Sequence, residues 1–285
     1  MMDLQQVSVI RNKRHILSEI NFQLTPGQVS VVIGLNGAGK SSLVRLLSGA
    51  WKPSAGHILW NQQPLSLLNP ATIAKFRAVV NQQSDLRFEF SVREVVEMGG
   101  YPHRSLSKAT REKEVDQALT EVDLLSFANA SATRLSGGEQ KRMLLARALV
   151  QLHLSRKNGD GLLILDEPTA HLDIRHQEKL LETIRARAAE GLTVFAVLHD
   201  LNHATRVADQ IILLQQGKLL AAGAVQDVMT PALLSQAFGT PLEQVHFQGR
   251  LPHWLPVNEI PSLSTRPHQP STPKEPYEQL SFAKP

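Results

Sequence analysis

Cysteine is absent from all 285 residues, which rules out disulfides, thiolate-bound zinc and thiol nucleophiles and fits a reducing compartment. No apolar run approaches the roughly 20 residues that a membrane-crossing helix needs. The longest, such as Leu162–Leu165 and Ile211–Leu214, are the size of strands. The opening residues also lack the basic segment and apolar run of a signal peptide. Any membrane role is therefore expected to be peripheral. Aromatic residues make up only 5% and form no base-stacking pattern. The net charge of +4 comes from scattered lysines and arginines rather than blocks, so nucleic acid is not an expected partner.

What is present is enough for a sizeable core, with 42% hydrophobic residues. Residues 1–30 suggest short strands, and Val29–Ile33 has the continuous β-branched character of a strand buried on both faces. A helix is expected from Ser41 until Gly49 stops it, then a strand at Gly56–Trp60. Between Ser91 and Leu154 apolar residues recur at helical spacing, as in Val92, Val95 and Val96, or Val115, Ala118, Leu119 and Val122. Residues 155–161 form a polar loop. Parallel-type strands return at 162–166, 193–198 and 211–214, with a helix at 174–189 and a hairpin turn at Gly217-Lys218. Nine of the 16 prolines lie at or beyond Pro241, and residues 262–285 are expected to be disordered.

Three stretches carry chemistry. Residues 34–41 match G-x-x-x-x-G-K-[ST], placed after an apolar strand and opening a helix. The backbone of such a loop curls so that its N–H groups face phosphates, and the helix N-terminus adds positive potential. The expected cradle comprises Gly34, Asn36, Gly37, Ala38, Gly39, Lys40, Ser41 and Ser42. Lys40 would reach the β- and γ-phosphates, and Ser41 would ligate Mg²⁺. Downstream, the apolar strand 162–165 ends in Asp166 and Glu167. Carboxylates at that end of a parallel strand sit where ligands bind. Asp166 is the candidate metal ligand and Glu167 the candidate general base. His199 ends the next apolar strand and is the candidate γ-phosphate contact. The third stretch is Leu135-Ser136-Gly137-Gly138-Glu139-Gln140. Ser136 and Glu139 suit a capping box. Two glycines in a helix's first turn do not, since they weaken it; with Ser136 they suit a second phosphate cradle.

LSGGEQ resembles the signature of ABC ATPases, and Asp166-Glu167-Pro168-Thr169, Leu172-Asp173 and His199-Asp200-Leu201 follow in that family's order. The resemblance implies an α/β fold: a P-loop NTPase (RecA-like) core, an N-terminal antiparallel β subdomain and a helical subdomain inserted at about 88–157. The ATPase domain would span 1–247, with a Pro-rich tail over 248–285. It further implies ATP and Mg²⁺ as ligands and a head-to-tail homodimer. In that dimer each nucleotide lies between one copy's phosphate loop and the other's Ser136–Gly138, with Asp173 at the interface. Gln82 would link Mg²⁺ and the attacking water to an integral membrane permease dimer. Three positions depart from the family pattern. The adenine-stacking aromatic is missing, the matching position being about Val9; Leu35 replaces a common proline; and His171 departs from the commonest Ser-Ala-Leu-Asp form.

The stretch from Arg77 to Gly99, with Phe88 and Phe90, resembles haemin importer ATPases, as does the extended segment 151–161. This implies a subunit on the cytoplasmic face of the inner membrane, coupled through a permease to a periplasmic haem-binding protein. Phe88 and Phe90 either line the permease groove or pack the helical subdomain. The alternative cargo is a ferric siderophore or cobalamin. ABC ATPases that act on ribosomes or nucleic acid are disfavoured, because this chain has one cassette and no heptad run.

Overall fold

The computed structural model describes residues 1–81, 89–154, 161–246 and 252–257. Twelve strands occur among them: β1 (Met2–Arg11), β2 (Arg14–Leu24), β3 (Val29–Ile33), β4 (Ala55–Trp60), β5 (Gln63–Pro64), β6 (Arg77–Val80), β7 (Leu162–Asp166), β8 (Thr193–Val197), β9 (Gln210–Gln215), β10 (Lys218–Ala224), β11 (Leu242–Val245) and β12 (His253–Pro256). The helices are α1 (Lys40–Leu47), α2 (Pro70–Phe76), α3 (Val92–Glu97), α4 (Lys108–Glu121), α5 (Gly137–His153), α6 (Ile174–Ala189), α7 (Leu201–Val207), α8 (Val225–Val228) and α9 (Pro231–Phe238).

Ten strands join in the order β5-β4-β1-β2-β10-β9-β3-β8-β7-β6. The β5-β4-β1-β2 half is antiparallel. From β9 through β3, β8 and β7 to β6 every pairing is parallel. The halves meet through one residue pair, Lys218 with Ser18. The fold is the mixed α/β P-loop arrangement expected from the sequence.

The parallel strands are apolar throughout because both faces are covered. All five residues of β3, β7 and β8 are buried. Successive side chains alternate between two cores, as the pleat requires. Val29, Val31 and Ile33 join Leu163, Leu165, Val194 and Ala196 on one face, together with α5 and α6 residues. Val32 joins Leu162, Ile164, Phe195 and Val197 on the other, against Leu43 and Leu47 of α1. The N-terminal stretch forms two long strands of 10 and 11 residues rather than several short ones. β1 buries Met2 and Leu4, then Val7 and Val9, so its inward face changes parity. A register shift between Leu4 and Val7, with Gln6 at φ 48°, makes the change.

α3, α4 and α5 pack together through Val95 and Val96, Val115 and Leu119, and Met143 and Leu149. Ser91 and Glu94 form a capping box that starts α3. β12 lies beyond residue 247, where the tail was expected to begin, yet Trp254 is buried in the core. Residues 262–285 and most of the polar loop at 155–161 fall outside the described residues.

Candidate nucleotide site

The loop between β3 and α1 is squeezed on one side by main chain. Gly39 caps α1 at φ 106°, and a Cβ on it would lie 2.7 Å from Leu17 Cδ2. Gly34 sits at φ 148°, and a Cβ there would lie 2.3 Å from the Leu214 carbonyl oxygen. Only glycine fits either place. The Gly217 N–H donates to the Ala38 carbonyl at 3.0 Å, so the β9–β10 turn holds the loop's far side. Lys40 Nζ folds back to donate to the Gly34 and Leu35 carbonyls at 2.8 and 3.0 Å. Burial pulls the Lys40 pKa below the usual lysine range, while the Glu167 and Asp166 carboxylates oppose that shift. Leu35, where the family often has proline, is about half exposed on the loop.

Ser41 and Arg45 of α1 and Ser48 at its C-terminal cap line a cleft of about 730 Å³ with Val79, Asn81 and Asp166. Asp166 closes β7 and is 8% exposed, and its Oδ1 has no partner among the described residues. Burial, then the charge of Glu167, raises its pKa; Lys40, Arg45 and His199 act the other way. A buried, unpaired carboxylate oxygen that shares a cleft with a hydroxyl is a fitting donor set for a hard dication.

Glu167 follows at φ 52°, a left-handed conformation that costs a non-glycine residue about 1–2 kcal/mol. Its Oε1 lies 2.5 Å from His199 Nε2. Its carbonyl accepts from Lys141 Nζ at 2.9 Å, and burial lowers the pKa of that lysine against the pull of Glu167 and Asp166. The structure thus brings Lys40, Asp166, Glu167 and His199 together at the C-terminal ends of the parallel strands. Lys141 was not anticipated. It lies 26 residues from its carbonyl partner and follows the LSGGEQ stretch directly, with no local signal to mark it.

The LSGGEQ helix start opens elsewhere. Ser136 and Glu139 make the full capping box: Glu139 N–H donates to Ser136 Oγ at 3.3 Å, and Ser136 N–H and Oγ–H donate to Glu139 Oε2 at 2.8 Å each. Ser136, Gly137 and Gly138 line a cleft of about 580 Å³ with Arg142, His171, Leu172 and Asp173. No residue lines both this cleft and the one at Ser41 and Asp166. Asp173 caps α6 by accepting from His176 N–H at 2.9 Å. His171, at φ 64°, lies on the turn before it. The position matched to the adenine-stacking aromatic, Val9, is fully buried in the core. Arg11, two residues on, is exposed, with its guanidinium 5.0 Å from the Trp51 ring centre. Gln82 and Phe88 fall outside the described residues, whereas Phe90 is 38% exposed.

A glycine-lined loop from a buried parallel strand into a helix, facing an acidic strand end two strands away, defines a P-loop nucleotide hydrolase. The LSGGEQ helix start and the antiparallel half-sheet narrow that class, and the chain belongs to the ABC transporter family, which matches residues 17–170. A hemin import ATP-binding protein, HmuV, from Hahella chejuensis is 43% identical over 81% of this chain and 90% of its own. Among solved structures, an inward-facing metal-chelate type ABC transporter matches with a TM-score of 0.74 at 26% identity. That match covers 90% of this chain and 97% of the other. A dimeric ATP-binding cassette in a post-hydrolysis state with ADP and Pi matches at 0.68 and 26%, over 79% and 99% of the two chains. Among the described residues no helix is long and apolar enough to cross a membrane.

Proposed function

We propose that this chain is the ATP-hydrolysing subunit of a haemin importer. In this reading two copies pair head to tail on the cytoplasmic face of the inner membrane. They drive a permease dimer that receives haem from a periplasmic binding protein. The observation that carries the dimer is the separation of the two half-sites: the phosphate loop with Asp166 and the Ser136–Gly138 helix start line clefts with no residue in common. One chain offers both halves but does not close them on one nucleotide, and a second copy turned end to end supplies the complement of each. The dimeric cassette with ADP and Pi supports that pairing.

Within the pair, residues 34–42 hold the triphosphate and Lys40 turns from its own loop carbonyls to the β- and γ-phosphates. Ser41 and Asp166, with Gln82, would hold Mg²⁺, which neutralises charge on those phosphates. Glu167 accepts a proton from the attacking water, and His199, now against Glu167, steadies the γ-phosphate side. Asp173 lies at the interface beside the partner's loop. Phe90, exposed beside Ser91 at the start of α3, belongs to the surface offered to the permease. The haemin assignment rests on HmuV relatives of about 40% identity, such as the Hahella chejuensis protein, and on the metal-chelate transporter.

ATPase activity of the reconstituted permease complex tests it. Haem-loaded binding protein should raise phosphate release over the empty protein. Stimulation only by a ferric siderophore or cobalamin carrier would reassign the cargo, and no activity in any complex would remove the transport role.

A further inference from the structure

The β11–β12 hairpin packs against the element that follows the catalytic histidine. The two strands pair along their length, from Leu242 with Pro256 to Val245 with His253. On one side Leu242 N–H donates to Ser235 Oγ of α9 at 2.9 Å. On the other, Trp254 N–H donates to Asn202 Oδ1 of α7 at 2.7 Å. Trp254 is 3% exposed and belongs to the apolar cluster that contains Ala204 and Val207 of the same helix.

Asn202 lies in the first turn of α7, three residues after His199. Its N–H and that of His203 both donate to Asp200 Oδ1, at 2.7 and 3.0 Å. A bonded chain therefore runs from Trp254 to Asn202 to Asp200. The next residue back is His199, whose ring meets Glu167. Leu198 on the other flank is tied to β3 through its N–H and the Val32 carbonyl, at 3.3 Å. His199 thus hangs between one fixed strand end and one helix start. The hairpin's polar contact is with that helix start.

The junction is not the best that packing could do. Trp254 Nε1 and His203 Nδ1 are both buried with no partner among the described residues, and each such atom costs about 1–3 kcal/mol.

We infer that the β11–β12 hairpin is a brace that sets the place of His199, with Asn202 as a positioning residue for ATP hydrolysis, held by the main-chain N–H of Trp254; this rests on the role given to His199 above. The brace acts on turnover and not on nucleotide affinity, because neither residue lines the clefts at Ser41 or Ser136.

The test uses the full chain in its permease complex, with single-turnover hydrolysis, ATP affinity and melting temperature measured for each variant. Asn202→Ala should slow hydrolysis roughly tenfold, as misplacement of a catalytic group does, leave ATP affinity near wild type, and lower the melting temperature by only a few degrees, since the Trp254 N–H loses its acceptor. Asn202→Asp keeps the acceptor and should restore the rate. Trp254→Phe keeps the packing and loses only the idle N–H, and should also hydrolyse normally. In a His199→Ala background, Asn202→Ala should cost less than about twofold, since two residues acting through one group do not add. An unslowed Asn202→Ala, no rescue by Asn202→Asp, or the full loss repeated without His199 overturns the brace. Undiminished hydrolysis by His199→Ala alone removes the histidine's role itself, which the other outcomes leave standing.

Discussion

Gly137 offers a test in which stability and activity move in opposite directions. It is the first residue of α5. A Cβ built on it meets nothing within 4 Å, and its φ lies outside the left-handed region. In the free subunit Gly137→Ala therefore meets no clash. It gains part of the helix preference of alanine, about 0.5 kcal/mol at a helix end against about 1 kcal/mol in the interior. For a chain of this size that is a rise of roughly 1–2 °C in melting temperature. If the open space is where a partner's γ-phosphate lands, the same methyl group keeps that phosphate from the α5 amides. Phosphate release by the complex should then fall by about 100-fold, the scale for losing preorganised donors. ATP binding to the isolated subunit should stay unchanged, since its own phosphate loop is untouched. Thermal melting, equilibrium nucleotide binding and steady-state phosphate release measure the three effects. Turnover at the wild-type rate would refute the second cradle. Gly138→Ala is the control in the other direction: its Cβ would sit 3.3 Å from the His171 carbonyl oxygen and from Leu172, so the stability gain should vanish.

Glu167→Gln preserves shape and the carbonyl bond to Lys141, and should cut steady-state hydrolysis by about 10²–10⁴-fold while ATP still binds; a near-normal rate would take the base role from Glu167. Asp166 has a folded pKa above its unfolded value of about 3.9. Its penalty is therefore present at neutral pH and fades as pH falls through the folded pKa toward the unfolded one. Asp166→Asn should raise the melting temperature of the nucleotide-free chain at pH 7.5, and the gain should shrink as pH falls toward the unfolded carboxylate value. The same variant should lose the magnesium dependence of ATP binding, and a pH-independent gain would contradict the cause given for the shift. Gly34→Ala places a methyl group 2.3 Å from the Leu214 carbonyl oxygen and should abolish ATP binding or lower the melting temperature by several degrees; normal behaviour on both counts would show that the loop can move away from β9.

The parts legible in the sequence are those whose chemistry lies within a few consecutive residues. The phosphate loop, the Asp166-Glu167 strand end and the Ser136–Glu139 capping box are of this kind, because local backbone geometry fixes their partners. The parts missed depend on what another segment brings. Lys141 reaches the Glu167 carbonyl only because α5 and β7 pack side by side. Trp254 lies between Pro252 and Pro256 in a stretch that reads as linker. Both prolines lie at the ends of the β11–β12 pairing or outside it, where no inward N–H is required, so they permit a short strand and an anchor on α7. β1 was obscured by its bulge: Gln6 in the left-handed region shifts the inward positions from even to odd numbers, and a fixed two-residue period breaks at that point.

Ser136 shows how two readings of one motif combine. The capping box is real, and it occupies the serine: its Oγ accepts from Glu139 N–H and donates to Glu139 Oε2. In the free subunit the hydroxyl hydrogen is therefore committed. What the helix start has left to offer an anion is the N–H groups of its first turn at Gly137 and Gly138, which have no intrahelical acceptor. The glycines leave those amides open to approach, because no side chain stands over them. A phosphate arriving from a partner copy would meet the amides first and draw the serine hydrogen from Glu139 afterwards. The carboxylate that holds this hydrogen sits in the helix's first turn, and its ionised form is favoured by the Ser136 N–H and hydroxyl bonds. Replacing it by glutamine weakens its hold on the hydroxyl without removing the cap, so Glu139→Gln should leave nucleotide binding to the subunit intact and change only the steps that need two copies.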